Sequence, residues 1–169
     1  MASPKKEIVL TREAYDRYQQ KLDYYKTHHR KSVAERIKQA KEFGDISENA
    51  EYEDAKSEQA FIEGEIMNLE NILRYARVLD ERQIAKDKVS LGATVAIRDK
   101  KTGKEFEYTI VGSLESDPSK GIISNESLVG AALIGADLGT TVEVEVPNGK
   151  ISYEILKIFQ KQFDSTAAF

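Results

Sequence analysis

The chain has 169 residues, of which 40% are hydrophobic and 32% charged, with a formal net charge of −4. That length holds one large domain or two small ones, and that charge content favours long solvated helices over one compact globule. The acidic balance argues against general binding of duplex nucleic acid, which runs on excess Lys and Arg, and the absence of Cys excludes a disulfide framework or a thiolate metal site.

Residues 1–10 carry Lys5, Lys6 and Glu7 and no apolar core, so they do not read as a signal peptide. The uncharged run at 130–136 is too short to span a bilayer, and a soluble cytoplasmic protein with no membrane partner is expected. Thr11 is a good N-cap for a helix beginning near Arg12. Tyr15, Tyr18, Leu22, Tyr25, His29, Val33, Ile37 and Ala40 then recur mostly at steps of three and four, so one stripe faces a partner. From Tyr25 through His29 and Val33 to Ile37 every step is four, the mark of a stutter. At this spacing the tyrosines and His29 read as packing, and the adjacent His28 and His29 do not make a metal site.

A second stripe, Tyr52, Ala55, Gln59, Ile62, Ile66, Leu69, Leu73 and Ala76, alternates three and four throughout, as in a coiled-coil seam. The short connection around Gly44 forces the two helices antiparallel, and roughly 30 residues in each give a rod on the order of 45 Å. The charges divide in the same way. Lys26, Arg30, Lys31, Arg36, Lys38 and Lys41 face only Glu35 in the first stretch, whereas ten acids from Glu42 to Glu70 stand against Lys56 alone. Two helices of opposite charge attract each other.

After Leu79 the period changes to two. Val95 and Ile97 precede a turn at Asp99-Lys100-Lys101-Thr102-Gly103, and Phe106, Tyr108 and Ile110 follow it. Val142, Val144 and Val146 lead to Pro147-Asn148-Gly149 and then Ile151, Tyr153 and Ile155, a hairpin pattern. Between the hairpins, Ser124 or Ser127 caps a short helix through 131–134 that Gly135 ends. The expected fold is α+β, an N-terminal antiparallel α-helical coiled coil plus a small C-terminal β-sheet domain with one short helix. Residues 1–80 are read as the rod with an acidic tip, 81–90 as a linker, 91–160 as the globular domain and 161–169 as a tail.

The tip reads Gly44-Asp45-Ile46-Ser47-Glu48-Asn49-Ala50-Glu51-Tyr52. One reading is structural: Gly44 ends the first helix, Asp45 or Ser47 caps the second, and Glu48 completes a capping box with Asp45. The other is chemical. Two carboxylates suit Mg²⁺, which takes one or two of them, keeps several waters and shares the rest with phosphates. Asp45 and Glu48 are too few to hold the ion alone and would complete a site supplied by another molecule. No Gly-rich phosphate loop, His pair at helical spacing or nucleophile–base set competes with this site.

These motifs carry a family resemblance. The tip segment, Gln59-Ala60-Phe61-Ile62-Glu63-Gly64 and Arg77-Val78-Leu79-Asp80 resemble the N-terminal part of bacterial Gre factors of the GreA type. Leu91-Gly92-Ala93-Thr94-Val95, Tyr108-Thr109-Ile110-Val111-Gly112 and Ala132-Leu133-Ile134-Gly135 resemble their C-terminal part, so the likeness runs from about Ile8 to Ile158. The resemblance implies an FKBP-like C-terminal fold and a monomeric factor that is not itself an enzyme. It implies binding of RNA polymerase, with the globular domain on the rim of the secondary channel and the rod reaching the active centre. There the factor stimulates cleavage of the nascent RNA 3′ end in backtracked complexes, with Asp45 and Glu48 helping to hold a polymerase Mg²⁺. Lys41 and Lys56 stand where the family has a basic patch for RNA, and Gly44, Asn49 and Tyr52 support the tip. Ser124, Ser127 and Leu128 stand at the expected polymerase contact, where the family commonly has Ser-Pro and a basic residue in place of Ser127-Leu128 and Ala131. Two other functions remain open here: a Gre-fold inhibitor that occupies the channel without stimulating cleavage, and a coiled-coil adaptor.

Overall fold

The structure, a computed structural model, describes residues 7–44 and 49–161. The chain divides into two compact units. One comprises residues 15–76; the other joins the N-terminal residues up to Ala14 to the stretch from Arg77 onward. The segment before the first long helix therefore belongs with the C-terminal sheet, where the sequence reading gave all of 1–80 to the rod.

The first unit is a helical hairpin. Helix α1, Arg12–Tyr24, passes through a π-helical turn, Tyr25–His29, into α2, Arg30–Glu42, and α3 covers Ala50–Tyr75. The π turn falls on the run of fours. An α-helix turns every 3.6 residues and would carry such a run off the seam, whereas the wider i→i+5 turn keeps it in place. The Arg30 N–H donates to the Tyr25 carbonyl across that turn. Val33 and Ile37 of α2 pack with Ala55, Ile62 and Ile66 of α3, flanked by Leu22, Tyr25 and Tyr52. Toward the far end of α3 the buried position is Ile72, with Leu73 only partly buried. A straight helix drifts against a 3.5-residue repeat, so the contact stripe slips by one residue over this length.

The opposite charges meet across the hairpin. Arg30 forms a two-pronged pair with Glu63, with Nε to Oε1 and Nη2 to Oε2 both 2.8 Å. Lys26 pairs with Glu70, and Arg36 bridges Glu51 and Glu58. The Glu63 carboxyl is held below its ordinary pKa by the Arg30 hydrogen bond, and that of Glu70 by Lys26.

In the second unit, β1, Ile8–Leu10, pairs with β2, Ala76–Val78, as a two-stranded sheet. The Arg77-Val78-Leu79-Asp80 motif thus begins in a strand beyond the end of α3 and not in the helix. The main sheet contains β3, Thr94–Asp99; β4, Glu105–Val111; β5, Ile122–Ser124; β6, Thr141–Val146; and β7, Gly149–Phe159. Their order is β5-β4-β3-β7-β6; only β4 and β5 run parallel. The β6–β7 turn has Pro147 and Asn148 at its centre, with Val146 opposite Gly149. Along β7 the pairing with β3 slips between Ala96 and Ile97, which leaves Leu156 as an extra residue. This bulge moves the inward face from Tyr153 and Ile155 to Ile158.

The core of the sheet unit holds Val95, Ile97, Ile110, Leu133, Val144 and Ile155. Two buried polar residues at this depth, Thr94 and Thr109 on adjacent strands, satisfy each other by an Oγ1–Oγ1 hydrogen bond of 2.8 Å. Residues 81–90, expected as a linker, are part of this fold. Val89 is buried in the core; its N–H donates to the Ala136 carbonyl at 2.9 Å, and its carbonyl accepts from Gly135 at 2.8 Å. The short helix α4, Leu128–Leu133, starts earlier than the expected 131–134 because Ser127 is its cap.

Two glycines give opposite expectations. A Cβ at Gly64, inside α3, meets nothing within 4 Å, whereas a Cβ at Gly130, inside α4, would lie 2.1 Å from the Ser124 carbonyl oxygen. Gly64→Ala is expected to raise stability by about 0.5–1 kcal/mol through lost backbone entropy of the unfolded chain. Gly130→Ala is expected to cost about 1–3 kcal/mol, since backbone must shift. Denaturant titration of both variants checks the pair.

Acid is expected to loosen the helical hairpin. The folded pKa values of Glu63 and Glu70 lie below the unfolded carboxyl value. Their contribution is therefore complete above that value, about 4.3, and is lost as pH falls through the lower folded values. Helix melting followed by circular dichroism should fall below about pH 4.3, and a Glu63→Gln, Glu70→Gln variant should show a flatter pH dependence.

Candidate functional site

The closing turn of the hairpin is built from both helix ends. Ala40 is the last buried residue of α2, and Lys41, Glu42 and Phe43 after it are exposed. Phe43 is the C-cap, and the following Gly44 has φ +114. A Cβ at Gly44 would meet nothing within 4 Å, so the backbone angle and not lack of space calls for glycine there.

Asn49 is the N-cap of α3. Its Oδ1 accepts from the Tyr52 N–H at 3.2 Å, and its Nδ2 donates to the Ala40 carbonyl at 2.7 Å. One amide therefore satisfies a free donor at the start of α3 and a free acceptor at the end of α2. This corrects the structural reading of the tip. Asp45 or Ser47 was expected to cap the second helix and Glu48 to close a box with Asp45. The helix starts at Ala50, however, and its cap position is taken by a residue that both accepts and donates. Asp45, Ile46, Ser47 and Glu48 themselves lie outside the described residues.

Tyr52 is half-buried against the seam. Lys56 is exposed, its Nζ 3.3 Å from Gln59 Oε1, and among the described residues no carboxylate pairs with Lys41. Arg36, one turn before Ala40, receives Glu51 from the first turn of α3 at 2.9 Å. Its guanidinium pKa is raised first by that hydrogen bond. Sequence reading passed over Arg36 as one charge among many; its partner, spaced across the turn, is visible only once the helices are paired. Among the described residues no group of three or more His, Asp or Glu side chains is arranged to hold a metal ion.

The other predicted contact lies in the second unit. Ser127 Oγ accepts from the Gly130 N–H at 3.1 Å and donates to the Ser124 carbonyl at 2.6 Å. Ser124 Oγ accepts from the Glu126 N–H at 3.0 Å and lies 3.0 Å from Ser113 Oγ. Both serine hydroxyls are thus engaged, that of Ser127 within its own loop and that of Ser124 also with Ser113 after β4. What this region presents outward is Leu128, 60% exposed, in the first turn of α4.

An antiparallel helical hairpin as one unit, and a small mixed sheet with one short helix as the other, define a two-unit α+β protein. The family description "Transcription elongation factor, N-terminal" matches residues 8–78, and "Transcription elongation factor, GreA/GreB, C-term" matches residues 84–160. The chain belongs to the GreA/GreB family of transcription elongation factors. It is 56% identical over 153 residues to the transcription elongation factor GreA of Acetivibrio thermocellus, covering 90% of this chain and 96% of that one. It is 52% identical over 153 residues to the GreA of Caldanaerobacter subterraneus, covering 90% and 98%. Among solved structures, the GreA factor homolog 1 of Thermus thermophilus aligns with 28% identity and a TM-score of 0.43, covering 90% of this chain and 99% of that one. Among the described residues no helix is long and apolar enough to cross a membrane.

The clip at Asn49 makes a sharp expectation. Asp ordinarily caps as well as Asn, but at position 49 it would set a carboxylate against the Ala40 carbonyl. Asn49→Asp is therefore expected to destabilise the hairpin at least as much as Asn49→Ala, about 1 kcal/mol. Thermal unfolding of both variants tests this, and a silent Asn49→Asp would show that the donor side of the amide contributes nothing.

Proposed function

We propose that this transcription elongation factor binds RNA polymerase and stimulates cleavage of the nascent RNA 3′ end in backtracked, arrested complexes. The sheet unit holds the rim of the secondary channel, with Leu128 as the apolar contact and the loop of Ser124 and Ser127 fixing its backbone. The hairpin reaches the active centre. On this reading the chain acts as a monomer in the cytoplasm and is not an enzyme by itself; the bond is cut by the polymerase.

Asp45 and Glu48 place their carboxylates at a Mg²⁺ site that the polymerase supplies. The donor set fits that use: two hard oxygens are a normal share for Mg²⁺, which leaves the remaining positions to waters and phosphate. When bound, the ion activates water and neutralises charge on the phosphodiester under attack. The carboxylates orient a water against the RNA and add negative charge where a loosely held cation needs it. Lys41 and Lys56 offer ammonium groups to the RNA phosphates; lysine supplies charge without the two-pronged geometry of arginine. The observation that supports a chemical role for the two acids is the cap of α3. Asn49 fills it, so Asp45 and Glu48 are not needed to start that helix.

The test is a double substitution that keeps shape and removes charge, Asp45→Asn with Glu48→Gln. Polymerase binding and helix content are expected to persist. Shortening of RNA in purified backtracked complexes should fall by at least about 10- to 100-fold, the cost of losing even indirect partners of a metal site. Raised Mg²⁺ should restore part of it. Undiminished RNA shortening by the folded double variant would sink the mechanism.

A further inference from the structure

We infer that Phe43 is a nucleobase-stacking residue, its ring taking the face of a base in the displaced single-stranded RNA 3′ segment; this rests on the function proposed above. Phe43 is 87% exposed, the most exposed of the large hydrophobic side chains among the described residues. Packing does not account for it. Val33, Ile37 and Ala40 are the buried residues of α2, and the seam ends where Asn49 takes the Ala40 carbonyl. Phe43 lies beyond that last layer. Its own N–H reaches only the Ala40 carbonyl, at 3.4 Å, a role that any residue's backbone fills. It is also a single ring flanked by charge, where a docking face for a protein would be a contiguous apolar patch.

Its surroundings suit single-stranded nucleic acid. The bases farther from the turn, Lys26, Arg30 and Arg36, are committed to Glu70, Glu63, Glu51 and Glu58. Lys38 and Lys41, in the last turns before Phe43, are exposed, and among the described residues neither pairs with a carboxylate. Glu42 beside them, with Asp45 and Glu48 next in the sequence, outnumbers these two charges, so the segment as a whole is not positive. Charge alone gives weak hold on an RNA strand here, and the uncovered ring supplies the rest. An aromatic face beside free ammonium groups is the common recipe for sequence-tolerant single-strand binding, because every base has a π face. That tolerance suits a factor that must accept whatever nucleotide stands at the 3′ end.

The experiment uses the full chain and purified backtracked polymerase complexes. RNA ends in either an ordinary or an abasic 3′-terminal segment, and cleavage is measured against factor concentration. Phe43→Leu keeps apolar bulk and removes the ring; Phe43→Tyr keeps the ring. On ordinary RNA, Phe43→Leu should raise the half-saturating concentration roughly tenfold, with Phe43→Tyr near wild type. On abasic RNA the wild type should fall to the level of Phe43→Leu, and Phe43→Leu should lose nothing further. Raised Mg²⁺ should not restore it. A wild-type response from Phe43→Leu on ordinary RNA, or an equal added penalty on abasic RNA, overturns the inference. The Asp45→Asn, Glu48→Gln variant runs in parallel. If it cleaves normally, the proposed function fails; if it is inactive while Phe43→Leu is normal, only the stacking role fails.

Discussion

The seam between α2 and α3 governs everything the hairpin does. Val33 and Ile37 meet Ala55, Ile62 and Ile66, and the buried residues nearest the turn, Ala40 and Ala55, are the smallest in the set. Alanine at both places leaves little side chain between the helices where a slender end is needed. It also leaves little apolar area there to hold the ends together. Asn49 makes up the difference by joining the two helix termini through one amide. The end of α2 and the start of α3 are thereby fixed to each other.

Burial and charge divide the work in that hairpin. A fully buried Ile or Val contributes about 1.5–3 kcal/mol, whereas an exposed ion pair contributes about 0.2–1. The cross-pairs of Lys26, Arg30 and Arg36 are all half-exposed. Stability therefore comes from the seam, and the charges select alignment: sliding α3 by one turn would break the Arg30–Glu63 fork. Among the described residues, Lys38 and Lys41 near the turn take no part in these cross-pairs.

Much of this was legible in the sequence wherever a repeat ran long. The three-four stripe of α3 located its buried face as far as Leu69, the run of fours marked the place of the π turn, and alternating valines and isoleucines marked β3, β4, β6 and β7. Short and non-local features were not. The three-residue β5 lies parallel to β4 and has too little length to show alternation. The bulge at Leu156 flips a face without any glycine to announce it. Residues 81–90 look like a linker until Val89 is seen to share hydrogen bonds with Gly135 and Ala136. At the turn, the motif itself drew attention to Asp45 and Glu48. The pair of hydrogen bonds made by the Asn49 amide was hidden, because its second partner is a backbone carbonyl across the hairpin.

One fastening made early in the chain depends on residues that come much later. The Glu115 carboxylate accepts from both the N–H and the hydroxyl of Thr11, at 2.9 and 2.7 Å, and a Cβ at Gly112 would come within 2.6 Å of the Val9 carbonyl oxygen. During synthesis, β1 and the first cap of α1 emerge from the ribosome long before these partners exist. The hairpin, made of contacts local to residues 15–76, closes first. The N-terminal strand can pair with β2 as soon as the hairpin is complete, but its fastening to Gly112 and Glu115 waits until the loop after β4 has been made.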